Sequence, residues 1–200
     1  MDDKEVEMLN YSRRQYDDVL DWYNSADSKA QVILAINGGF IAFVSGTVFA
    51  KPDDLISIVD EFNSITWILV ILMVVSLITS IGASIYCLWS RICTGKELRK
   101  KIDDETRAYS LDANILDNRY APSLTSFFLF IEHLDPKIFE NTLKSVDTEY
   151  EIAALAGQIR ALSRNVKVKH LAVNIGFAMT SIALITFFMV AVSYVLEVAK

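Results

Sequence analysis

Three stretches of this chain run without a formal charge for longer than soluble helices do: residues 30–50, with 21 positions, 63–90, with 28, and 171–196, with 26. A helix needs about 20 apolar residues to cross a hydrocarbon core about 30 Å thick. A run of about 18 already argues for a membrane span, and each stretch exceeds it. Transmembrane β-strands would show alternation in segments of about ten residues, which the sequence lacks. The expected fold is therefore all-α, with three transmembrane helices. Composition agrees: 52% of residues are apolar, against about 45–50% in soluble domains, and the mean hydropathy is +0.32.

Charge sets the expected orientation. Four basic residues precede the first span, 13 lie between the second and third, and Lys51 and Lys200 stand alone on the other side. Positive residues stay on the cytoplasmic side of short loops, so the N-terminus and 91–170 are placed inside and the C-terminus outside. Trp67 and Tyr194 then fall at outer interfaces and Trp89 at an inner one. The division reads as a cytoplasmic amphipathic helix at 1–29, a first span at 30–50, an external loop at 51–62, a second span at 63–90, a cytoplasmic helical region at 91–170 and a third span at 171–196. The acidic start (Asp2, Asp3, Glu5, Glu7) lacks the basic n-region of a signal peptide, so the first span is read as an uncleaved anchor.

Helical periodicity continues past the spans. Leu9, Tyr16, Leu20 and Tyr23 line one face ahead of the first span. Ile152, Leu155, Ile159, Leu162 and Val166 keep heptad spacing ahead of the third. No proline separates that seam from the span, so one helix is expected from about Asp147 to about Val195. The second span is expected to extend inward past Arg91, beside a basic collar of Arg91, Lys96, Arg99, Lys100 and Lys101. Pro122 interrupts the region, 127–134 is ambiguous between helix and strand, and Asp135-Pro136 reads as a helix start. These long apolar stripes point to a juxtamembrane bundle.

Each span also carries small residues at three- and four-residue spacing: Ala35, Gly39, Ala42, Gly46; Ser76, Ser80, Ala83, Cys87; and Ala172, Gly176, Thr180, Ala183. In lipid such rows let helix backbones approach closely, within one chain or between copies, and a homo-oligomer is expected. No span has an ionisable residue at its centre, where a charge-coupled transporter needs one. Asn37 and Asn174 are the strongest polar groups inside, suited either to interhelical hydrogen bonds or to lining a pore. Asp27 and Lys29 mark the entrance to the first span, with Lys29 free to snorkel. Cys87 and Cys93 read as packing residues. His133 and His170 are lone histidines, and neither a phosphate-binding glycine loop nor zinc spacing is present. No catalytic residue, metal or cofactor is expected, and no long basic stripe suggests a nucleic-acid polymer as partner. A non-catalytic scaffold that recruits a cytoplasmic partner would also fit these features.

The entry Trp22-Tyr23, Ala26-Asp27-Ser28-Lys29-Ala30, followed by Ile33-Leu34-Ala35-Ile36-Asn37-Gly38, resembles the first span of the Pycsar transmembrane effectors. The later chain is similar too: a phenylalanine-rich segment after Pro122, then Leu155-Ala156-Gly157-Gln158-Ile159, and Lys167 and Lys169 before the last span. The resemblance covers nearly the whole chain. It implies a multi-pass protein of the bacterial inner membrane that acts in anti-phage defence. In that family a cyclase makes cyclic CMP or cyclic UMP on infection, and the membrane effector responds with loss of membrane integrity. A cyclic mononucleotide needs one or two cations for its phosphate and an aromatic or apolar slot for its base. Arg91, Arg160, Arg164 and Lys167 with Tyr109 or Tyr120 are the candidates, and a collar facing lipid headgroups is the competing role for the same cations. Trp22, Asp27, Lys29, Asn37 and Asn174 are the candidate structural or gating residues.

Overall fold

The computed structural model describes residues 3–50, 59, 62–89, 131 and 136–198, excluding the side chains of 47–50, 138 and 198. Among these residues there are four helices and no strand: α1 (Asp3–Ala50), α2 (Ser64–Leu88), α3 (Pro136–Lys144) and α4 (Thr148–Val198). Three of them, α1, α2 and α4, are long and apolar enough to cross a membrane. The protein is thus all-α and multi-pass. Several expectations fall outside the described residues: the turn at Pro52, the inward extension of the second span with its basic collar, Pro122, most of 127–134, Asp135, Cys93 and His133.

Both long helices are unbroken. At 1.5 Å per residue α1 is about 72 Å long and α4 about 76 Å, each more than twice the hydrocarbon thickness. The single helix expected from Asp147 runs from Thr148 to Val198. Its start is chemically defined. The Asp147 side chain accepts a hydrogen bond from the Tyr150 backbone N–H at 2.8 Å, and Glu149 and Glu151 add negative charge to the first turn, where the helix dipole favours it. Replacing Asp147 with Ala should cost about 1 kcal/mol of local stability. Amide exchange at residues 148–151 should rise, while residues 171–196 keep their protection.

The chain divides into two compact units, 1–23 with 90–166 and 24–89 with 167–200. In the first, Leu9, Val19 and Val166 are buried, and the heptad residues Ile152, Leu155, Ile159 and Leu162 are half-buried. Arg13 donates to Glu151 Oε1 through both Nε and Nη2, at 2.8 and 2.6 Å. The Arg13 side chain is exposed and that of Glu151 half-buried, so this pair contributes at most about 1 kcal/mol. Pro136 opens α3 at the first helical position, where its missing N–H costs nothing.

The second unit holds the three spans. Asn63 caps α2 by accepting from the Thr66 backbone N–H at 2.8 Å. Trp67 and Trp89 are exposed near its two ends, about 33 Å apart along the axis, as interfacial aromatics should be. The outer faces are apolar: Ile65, Ile68, Ile71, Val75, Ile78 and Ile85 on α2, and Leu171, Ile185, Phe188 and Val195 on α4, are all exposed. The interior mixes small apolar residues with polar ones. Asn37, Thr66, Ser76, Ser80, Ser84, Lys169, Thr180 and Thr186 are buried. In water this distribution would unfold the bundle; in lipid it is the stable one, because hydrocarbon solvates the apolar exterior.

Candidate functional site

The buried polar residues form a seam along the inside of the three spans. At one end Lys169 Nζ on α4 donates to Asp27 Oδ1 on α1 at 2.5 Å. The Lys169 side chain is 5% exposed and that of Asp27 27%. An ammonium so buried stays charged only with a carboxylate beside it, so the pair ties α1 to α4. Cys87 of α2 joins them weakly, its Sγ lying 3.7 Å from the Ala26 carbonyl oxygen and 3.9 Å from Asp27 Oδ1. Around this level Ala26, Ala30, Ile33, Cys87, Ala172 and Val173 form the apolar core.

Further along, one residue from each span meets the other two. Asn37 Nδ2 donates to Ser80 Oγ at 2.8 Å. The hydroxyls of Ser80 and Thr180 are 2.7 Å apart, and Thr180 Oγ1 lies 3.3 Å from Asn37 Oδ1. Both hydroxyls also reach the Gly176 carbonyl oxygen, at 2.9 and 3.0 Å. Close approach is possible here because Gly176 has no side chain. A Cβ at Gly176 would stand 3.2 Å from Ser84 Oγ and 3.3 Å from Ile33 Cδ1. At the far end Thr66 and Ser193 pair through their hydroxyls at 2.9 Å. Asn63 Nδ2 donates to Glu197 Oε1, while Glu197 Oε2 is buried with no hydrogen-bond partner. Along α4 the step from Lys169 to Glu197 is about 42 Å. The charged ends of the seam therefore stand beyond a hydrocarbon core of about 30 Å.

Of the residues singled out in the sequence, Asn37 and Asp27 lie in this seam. Asn174 does not: it is exposed on α4. Lys29 and Trp22 are exposed as well. Arg160, Arg164 and Lys167 stand exposed at four- and three-residue spacing on one face of α4. Arg91, Tyr109 and Tyr120 lie outside the described residues.

The rows of small residues on the second and third spans face inward: Ser76, Ser80, Cys87, Ala172, Gly176, Thr180 and Ala183 are buried and Ala83 is half-buried. The row on α1 does not. Ala35, Gly39, Ala42 and Gly46 are exposed, and Ala26, Ala30, Ile33 and Asn37 are buried instead. Ala35 follows Ala26 by nine positions, about two and a half turns, so the two rows lie on opposite sides of the helix. The orientation of α1 gives the Asn37 amide and the Asp27 carboxylate partners on the other helices, without which their burial would be costly.

Sequence reasoning did not single out Lys169, Ser80 and Thr180 as a connected set. A usable signal was present for the first. Asp27 and Lys169 lie three and two residues before their charge-free runs, opposite charges at matching depth on two spans.

A seam of hydroxyls, an amide and one ion pair holds the three helices together. No curated protein and no solved structure matches the chain. The model of one family, described as the Pycsar effector protein domain, matches residues 11–196. The match takes in all three charge-free runs, 30–50, 63–90 and 171–196, and every residue of the seam except Glu197, and the chain belongs to the Pycsar effector family.

Proposed function

We propose that this protein is a non-catalytic effector of anti-phage signalling that opens or disrupts the bacterial inner membrane when a cytoplasmic signal, cyclic CMP or cyclic UMP, is made. The match to the Pycsar effector domain over nearly the whole chain carries this reading. The physical features are consistent with it. Three membrane-length helices enclose polar groups, and helices α1 and α4 continue well beyond membrane length. A ligand shifts such a bundle only through unequal affinity for two arrangements. Arg160, Arg164 and Lys167 are the cations offered for its phosphate. The test is direct: cells expressing the protein receive cyclic CMP, cyclic UMP or cyclic AMP by induction of the matching cyclase, and membrane potential is followed. Depolarisation with one pyrimidine nucleotide and none with cyclic AMP supports the reading. An unchanged potential with all three rules it out.

The active form is proposed to be a homo-oligomer. Asn174 is exposed within a span, and among the described residues it has no hydrogen-bond partner. The small-residue row of α1 faces outward, with open space beside Gly38, Gly39 and Gly46. An amide and a row of glycines are the groups that join helices in lipid. Asn174→Leu should lower the crosslinked oligomer yield in membranes several-fold while leaving insertion unchanged. An equal yield would assign Asn174 to the headgroup level instead.

A further inference from the structure

We infer that the polar seam is itself the conducting path: in the active state Asn37, Ser76, Ser80, Ser84, Thr180 and Thr186 become wetted and line a route for water and small ions, and the Asp27–Lys169 pair closes one end of it. This rests on the effector reading above and specifies which surface does the work.

The seam is the one inward surface that carries side-chain oxygen at successive levels through the described spans. Thr66 and Ser193 stand toward one end, Ser80, Asn37 and Thr180 in the middle, and Ser84 toward the other. The lipid-facing Thr79 and Ser181 each donate to a carbonyl four residues back on their own helix, at 2.8 and 3.0 Å, as Ser84 and Thr186 do inside. What sets the seam apart is the set of bonds from one helix to another, made by Thr66, Ser80 and Thr180.

At the centre the polar groups satisfy one another. Asn37 Nδ2 donates to Ser80 Oγ, and the Ser80 and Thr180 hydroxyls stand among the Gly176 carbonyl, Asn37 Oδ1 and each other's oxygens. These bonds run between helices, so parting the helices breaks them and leaves the same groups to water.

The seam has no formal charge between the Asp27–Lys169 pair and Glu197. Rings of fixed charge are one way a pore chooses between cations and anions, and this path has none, so its oxygen lining alone sets any preference among the small ions that dissipate the membrane potential. In the packed arrangement there is no room for it, because even a methyl at Gly176 meets neighbours at 3.2–3.3 Å. Conduction therefore requires α1 and α4 to separate, and their separation breaks the Lys169–Asp27 bond.

Single cysteines test this in proteoliposomes loaded with potassium. Ser80→Cys and Thr180→Cys report the seam, and Ile78→Cys and Ile185→Cys report the exposed faces. Reactivity toward a charged, membrane-impermeant thiosulfonate is read in a Cys87→Ala, Cys93→Ala background, because Cys87 itself lies against Asp27 at the closing pair. Potassium efflux is followed with cyclic CMP, with cyclic UMP and, without ligand, in the Asp27→Ala background. The expected result is efflux together with at least a tenfold rise in Ser80→Cys and Thr180→Cys labelling, a fall in efflux on labelling, and no change at the Ile positions. If Ser80→Cys fails to assemble, Ser76→Cys takes its place. Efflux with unlabelled seam cysteines, or with seam and lipid-facing cysteines labelled alike, overturns the seam as the path and leaves the effector reading standing. Efflux only in the Asp27→Ala background removes the nucleotide signal, and the labelling there still decides for or against the seam. Absence of efflux under every condition overturns both.

Discussion

Asp27→Ala should convert the protein into one that depolarises the membrane without any signal. The substitution takes away the carboxylate that stands 2.5 Å from the Lys169 ammonium, 5% exposed. Breaking a buried pair in this way costs about 3–5 kcal/mol. At about 1.4 kcal/mol per factor of ten, the packed arrangement loses roughly a hundred- to a few-thousand-fold in population against arrangements that hydrate the lysine. Lys169→Met should be milder, since the Asp27 carboxylate it leaves behind is 27% exposed and reaches water. The double variant should lie nearer the wild type than Asp27→Ala does, because an apolar replacement of a buried ion pair is often neutral. Growth on induction, membrane potential and thermal stability in detergent would be read for all four proteins. Equal damage from the two single variants, with simple additivity in the double, would show that the two groups act independently and that the pair does not hold the spans together.

Gly176→Leu carries the second large effect, and for a different physical reason. The Cβ alone would press Ser84 Oγ at 3.2 Å and Ile33 Cδ1 at 3.3 Å, and the rest of a leucine has nowhere to go. Overpacking costs about 1–3 kcal/mol. Pushing α4 away also loses the contacts of Ser80 with Gly176 and Thr180 and of Thr180 with Asn37, each worth about 0.6 kcal/mol in a membrane. The expected sum is about 3–5 kcal/mol, seen as a lower melting temperature in detergent and a signal-independent leak. Gly39→Leu is the matched control. Open space surrounds Gly39, so it should leave the melting temperature of the single chain in place and act only where copies meet. If Gly176→Leu melts like the wild type, the close approach of α4 to α2 is not a feature of the protein in lipid.

These two substitutions also mark where sequence reading stops. Asp27 was singled out as an entrance residue next to Lys29, but two residues apart on a helix they do not face each other. The partner is Lys169, 142 positions away. Gly176 belonged to a row of small residues, one of three such rows. Hydropathy does not distinguish the row that packs inward from the row that faces out when both sides of a span are apolar or small. The two asparagines show the same limit. Asn37 and Asn174 have the same chemistry within spans, yet one is the buried link between helices and the other is exposed.

Three membrane-length helices, with α1 and α4 running on far past membrane length, were determined by sequence alone. Freedom from charge over 21 or more residues and periodicity unbroken by proline are local properties, carried by neighbouring positions. Which side of each span turns inward was decided only by the tertiary structure. A buried amide, hydroxyl or ammonium must find a partner on another helix, and that choice belongs to all three spans at once. The joining of Asp27 to Lys169 and of Asn37 to Ser80 and Thr180 is the outcome.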